Sequence, residues 1–76
     1  MNNSSREILV FKTNLASEEE VKTVTPLLSG HPDILQWNVD KWDADNILRI
    51  ESSKLSPDIV INILSEAGFE CEELED

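Results

Sequence analysis

One thiol, one imidazole and sixteen carboxylates are the side chains of this 76-residue sequence best suited to metal, redox or acid–base chemistry. Cys71 lies in Glu70-Cys71-Glu72-Glu73, where adjacent negative charge is expected to raise the thiol pKa and suppress the thiolate. It reads as a buried or half-buried spectator. His31 precedes Pro32 in a turn, without a histidine or cysteine near it in sequence, and reads as a solvated loop residue. Asp43-x-Asp45-Asn46 opens like a calcium loop, but Ile47 occupies the third ligand position and no glycine follows it. Lys54 stands where the closing glutamate belongs, so the segment reads as a polar hairpin tip. The sequence has neither a glycine-rich phosphate loop nor a nucleophile with a plausible histidine base, and the expectation is that the chain is not an enzyme. The remaining candidate is Lys12-Thr13-Asn14-Leu15-Ala16-Ser17, which joins an apolar run to a segment of helical pattern.

The elements around that segment follow from periodicity. Residues 7–12 form a short, mostly apolar run suited to the middle of a sheet. Ser17 and Glu20 make a Ser-x-x-Glu capping box, and Glu18, Glu19 and Glu20 lie at the positive end of the helix dipole. Val21, Val24 and Leu28 follow at helical spacing and mark one buried face. Pro26 removes one hydrogen bond there, which predicts a kink or a helix that loosens after Thr25; Gly30 and Pro32 stop the element. Residues 34–41 alternate, predicting a strand with Leu35, Trp37 and Val39 on the core face. Ile47-Leu48-Arg49-Ile50-Glu51 returns as the second arm of a hairpin, with Leu48 and Ile50 inward. Trp42, near the tip, breaks the facing rule; it is expected to pack against the sheet edge, with partial exposure as a contact anchor the other reading. Ser56-Pro57-Asp58 starts a second helix whose stripe is Ile59, Val60, Ile63, Leu64 and Ala67, with Ile61 opposite and Gly68 as the stop. A strand over Phe69–Leu74 completes the order βαββαβ. The fold class is therefore α+β: a ferredoxin-like sandwich, an antiparallel four-stranded sheet with both helices on one face. That order hosts many functions and names none.

Over about residues 7–74 the chain resembles heavy-metal-associated domains and small copper chaperones. Trp37-Asn38-Val39-Asp40 is similar to the family's Val-x-Val-Asp on the second strand. Ala67-Gly68-Phe69 is similar to its Ala-Gly-Tyr at the end of the second helix, whose ring packs near the metal loop. Val21 falls where the family has its first core valine on the helix, if Ser17 takes the second cysteine position. In the family the loop after the first strand carries Met-x-Cys-x-x-Cys; here Asn14 and Ser17 stand where the cysteines would. A neutral amide and a hydroxyl cannot replace two thiolates for copper(I) or tetrahedral zinc, so the resemblance implies the fold without its metal ligands. Ser17 reads as a helix cap, and Asn14 as a turn residue whose side chain bonds local backbone. Related domains dock through the metal loop, and by resemblance Lys12, Asn14, Leu15, Ser17 and Phe69 are nominated as a docking surface. Acylphosphatases share the strand order but need an arginine and an asparagine around this loop, which offers Lys12 and Asn14 without an arginine.

Composition narrows the partners. Six basic against sixteen acidic side chains give a net charge of −10, a field that disfavours nucleic acid and membrane surfaces and favours a protein with a basic surface. A single cysteine excludes an internal disulfide, and residues 1–6 lack a signal sequence, so a cytoplasmic protein is expected. The expected organisation is a disordered start over 1–6, one domain over 7–74 and an acidic tail end at 75–76. The functional expectation is a non-enzymatic binding or regulatory module that docks a protein, with no metal and no cofactor. The alternative is metal binding or trafficking through Cys71 and carboxylates, and a third reading is assembly through an open sheet edge.

Overall fold

The structure, a computed structural model, describes residues 7–40 and 42–74. The expectations for 1–6 and 75–76 therefore lie outside the described residues. The elements are β1 (Glu7–Thr13), α1 (Glu18–Ser29), β2 (Ile34–Asp40), β3 (Ile47–Ser52), α2 (Pro57–Glu66) and β4 (Cys71–Glu73). The sheet order is β2-β3-β1-β4 with every neighbouring pair antiparallel, which is the ferredoxin-like arrangement the sequence predicts. β1 runs through the middle of the sheet because its Leu9, Phe11 and Thr13 face the helices while Val10, on the other face, is also half-covered. Phe11, Leu48, Ile50 and Ile34 from the sheet close on Val24 and Leu28 of α1 and Val60 and Leu64 of α2. One core thus joins both helices to the same face.

α1 begins with the complete capping box: the Glu20 amide donates to Ser17 Oγ, and Glu20 Oε1 accepts from the Ser17 amide. Pro26 does not end the helix, which continues to Ser29. It sits in the last turn, where few further helical bonds depend on its missing amide. The Gly30 amide then donates to Pro26 O at 3.1 Å, an approach so close that a Cβ at Gly30 would lie 2.8 Å from that oxygen.

Three sequence expectations need correction. Leu35 faces outward, 47% exposed, because the β2–β3 register shifts between Ile34 and Gln36. The two β2 residues Ile34 and Gln36 oppose the consecutive residues Ser52 and Glu51, so Leu35 is the extra residue of a bulge and Ile34 takes the core position. On α2 the expected Val60, Ile63, Leu64 and Ala67 pack on the core, but Ile61 joins them and Ile59 turns outward, 40% exposed. β4 is shorter than predicted because the Phe69 amide is taken by Leu64 O and the Glu70 amide by Asn14 Oδ1, leaving the ladder to start at Cys71.

Strand directions fix what meets at each end. The β1–α1 loop, the β2–β3 hairpin tip and the α2–β4 joint gather at one end. The α1–β2 and β3–α2 connections gather at the other, joined by the Ser53 amide donating to Asp33 O.

Candidate functional site

The β1–α1 loop is held from both sides by the ends it lies between. Thr13, buried at the end of β1, donates its amide to Asp45 O at 3.1 Å and its Oγ1 hydrogen to Asn46 O at 2.6 Å. The same Oγ1 accepts from the Leu15 amide at 3.2 Å. Asn14 Oδ1 accepts from the Glu70 amide at 2.9 Å. The Asn14 side chain therefore bonds backbone 56 positions away rather than locally as expected, and ties the loop to the α2–β4 joint. Gly68, with φ +92, supplies the left-handed backbone that turns the chain there.

Leu15 points inward and is fully buried in the core, so it is not part of an accessible surface as the resemblance had nominated it. The amides of Ala16 and Ser17 both donate to Glu20 Oε1, at 2.9 and 3.1 Å. With the Leu15 amide on Thr13, the three amides of 15–17 are all committed inside the chain. An anion cradle needs free amides pointing outward. The loop does not offer one, and the α1 N-terminus is already occupied by a carboxylate.

The other nominated residues fall as follows. Lys12 is exposed on the open face of the sheet, opposite Glu72 in the β1–β4 pairing, with its Nζ 3.7 Å from Asp45 Oδ1. That solvated pair contributes little to stability, about 0–1 kcal/mol. Asn14 and Ser17 are exposed, and Phe69 is half-buried against the core at the α2–β4 joint. The structure thus brings Asn14, Ser17 and Phe69 to one end of the molecule and sets Lys12 beside it.

Cys71 lies opposite Thr13 in the β1–β4 register, half-buried and packed on the core. Its thiol is pushed up to about 11, and the cause is burial rather than the neighbouring glutamates. Alternation sends Glu70 and Glu72 away from the face that Cys71 shares with Thr13. His31 lies at the opposite end, in the α1–β2 connection, so the fold does not pair it with Cys71. It is half-buried rather than fully solvated, and its Nδ1 accepts from the Asp33 amide at 3.1 Å. Among the described residues no group of three or more His, Cys, Asp or Glu is arranged to hold a metal ion. The donors at the loop do not fit a soft ion: Asn14 Oδ1 and Ser17 Oγ are both engaged in holding backbone, and the nearby thiol is strongly protonated at neutral pH.

At this end the sequence reading missed one feature and favoured the wrong one of two readings for another. Thr13 is the joint between loop and hairpin, and Trp42 stands free on the hairpin tip. Trp42 is 96% exposed, which overturns the expectation that it packs against the sheet edge. Its amide donates to Asp40 Oδ1 at 3.1 Å, turning the chain so that the indole leaves the sheet. The signal available was topological: in a βαββαβ chain the β2–β3 tip must lie at the same end as the β1–α1 loop.

No family model matches the chain, and no curated protein does. Among solved structures the fold is similar to the apo form of the heavy-metal-associated domain of the copper chaperone for superoxide dismutase. The TM-score is 0.77 at 17% identity, covering 99% of this chain and 74% of that one. At that identity the likeness shows the fold. Among the described residues, no helix is long and apolar enough to cross a membrane.

Proposed function

We propose that this chain is a small non-enzymatic binding module that docks a protein partner through the end formed by the β1–α1 loop, the hairpin tip and the α2–β4 joint. The observation that carries the reading is the employment of Asn14 and Ser17. At the two positions where the resembling family holds metal, this chain has side chains whose oxygens accept backbone amides, tying the loop to the α2–β4 joint and to the start of α1. A rigid loop presents its outer side chains at low entropic cost, which favours recognition over chemistry. The net charge of −10 selects a partner with a basic surface. The similar solved structure is a domain of a copper chaperone, and metal binding through Cys71 and surface carboxylates is the competing reading.

Anaerobic titration with copper(I), zinc and a hard cation, against a competing chelator and read by native mass spectrometry, separates the two. Docking predicts no stoichiometric soft-metal complex at micromolar concentration. One tightly bound ion per chain, lost in Cys71→Ser, overturns it. A photo-crosslinking residue at Ala16 should trap a partner that the same residue at Lys54, at the far end, does not; equal trapping at both sites would remove the assigned surface.

A further inference from the structure

Of the two tryptophans, Trp37 packs against the core and Trp42 does not. Trp42 is 96% exposed, whereas the other exposed large apolar side chains among the described residues, Ile8, Leu27, Leu35, Ile59 and Leu74, range only from 38% to 55%. A tryptophan covered by a partner removes about 150–250 Å² from water, and aromatic anchors of this kind dominate interface energetics.

The backbone beneath the indole is fixed. The Asp43 amide donates to Asp40 O, the Asp45 amide to Asp43 Oδ1 and the Asn46 amide to Asp43 O. Asn46 takes the left-handed conformation, φ 48, and its carbonyl is held by Thr13 Oγ1. The tip is therefore locked to β1, and little ordering remains to be done when a partner binds. The exposed acidic residues at this end are Asp43 and Asp45 on the tip, Glu18 and Glu19 at the start of α1, and Glu70 at the α2–β4 joint. Among the described residues, Lys12 brings a positive charge to this end, with its Nζ 3.7 Å from Asp45 Oδ1.

We propose that Trp42 is the anchor of the docking end and that its occupant is a cationic protein segment, with an arginine or lysine over the indole and its other charges on the acidic rim. The proposal rests on the docking reading above and adds the anchor and the chemistry of the partner. Cations over an indole face are attracted by the ring quadrupole, and the carboxylates around it steer a positive segment in and turn an acidic one away. Because Trp42 packs on nothing, its replacement leaves the fold intact, and binding can be read without a stability artefact.

The test uses the full chain, isotope-labelled, titrated at low salt with acetylated, amidated hexa-arginine while amide shifts are followed. The expected result is perturbation concentrated in residues 14–18, 42–46 and 68–70. Trp42→Ala should weaken binding about tenfold or more, and Trp42→Phe considerably less. Asp43→Asn should weaken it more than Asp58→Asn, an equal change of charge at the far end. If perturbations stay at this end but Trp42→Ala binds within twofold of the parent, the anchor is refuted and the docking end survives. If they scatter over the acidic surface, both are refuted. Failure of hexa-arginine to bind overturns the cationic class of partner.

Discussion

Replacing Thr13 with valine deletes one oxygen and keeps the outline of the side chain. That oxygen closes the joint between the β1–α1 loop and the hairpin tip, donating to Asn46 O at 2.6 Å and accepting from the Leu15 amide at 3.2 Å. The two partners lose unequally. The bond from the Leu15 amide is buried, and leaving a buried donor unsatisfied costs about 1–3 kcal/mol. The bond to Asn46 O is part-buried, so water can replace the hydroxyl and the loss is nearer 0.5–1 kcal/mol, a rough figure. The methyl gained in exchange returns about 0.8 kcal/mol. The net destabilisation is about 2 kcal/mol, equivalent to a fall in Tm of roughly 8–16 °C for a domain of this size. Urea unfolding in a Trp42→Phe background isolates the emission of Trp37, which is half-buried and donates its Nε1 hydrogen to Ser29 Oγ. Hydrogen exchange at the Leu15 amide should accelerate along with the stability loss. A change below about 0.5 kcal/mol at unchanged denaturant slope would show that this hydroxyl is not the joint described here.

Ser52 provides the opposite case: its hydroxyl is fully buried with no hydrogen-bond partner among the described residues, so Ser52→Ala should stabilise by about 1 kcal/mol, and a loss of stability in urea would refute that. Leu15→Ala should cost about 2–5 kcal/mol by emptying a fully buried position, and a variant with parental Tm would return Leu15 to the surface. Cys71 should resist iodoacetamide at pH 8 and react only as pH nears its raised value of about 11; rapid alkylation of the folded chain at pH 8 would contradict its burial. The same shift predicts a linkage. With the folded thiol at about 11 and its ordinary value at 9.0, the folded state holds the proton more tightly, so this contribution is complete below pH 9 and is lost as pH rises through 11. Stability of the parent relative to Cys71→Ala should therefore decline across that window, and a flat difference would refute the assignment.

The parts of this fold legible in the sequence are those set by neighbours in the chain. The Ser17–Glu20 box, Pro57 at the first helical position and the βαββαβ order depend on spacings of a few residues, and the structure reproduces each. What sequence reasoning missed depends on partners far along the chain. Strict alternation put Leu35 inside, but the bulge against Ser52 and Glu51 is a property of the pairing, not of β2 alone. A leucine in a polar loop carries no periodic signal, so the burial of Leu15 emerges only when β1, α1 and the core are assembled. The same limit applied at the candidate site. Ser17 was readable as a cap, whereas the bond of Asn14 to Glu70 crosses 56 positions and the bond of Thr13 to Asn46 crosses 33.

Those long-range bonds divide the labour at this end of the molecule. Thr13, Asn14 and Leu15 secure the loop to the hairpin, the α2–β4 joint and the core, Thr13 and Leu15 through buried or part-buried atoms and Asn14 at the surface. Trp42, Asp43, Asp45 and Glu70 carry their side chains outward on backbone those bonds hold still. Binding and stability are then separable by residue. Inward variants should lower stability first and binding only as the end loosens, while outward variants should change binding at constant Tm. A chain whose loop moved freely would show neither pattern, because loosening it further would cost little and its outer side chains would present no fixed surface to lose.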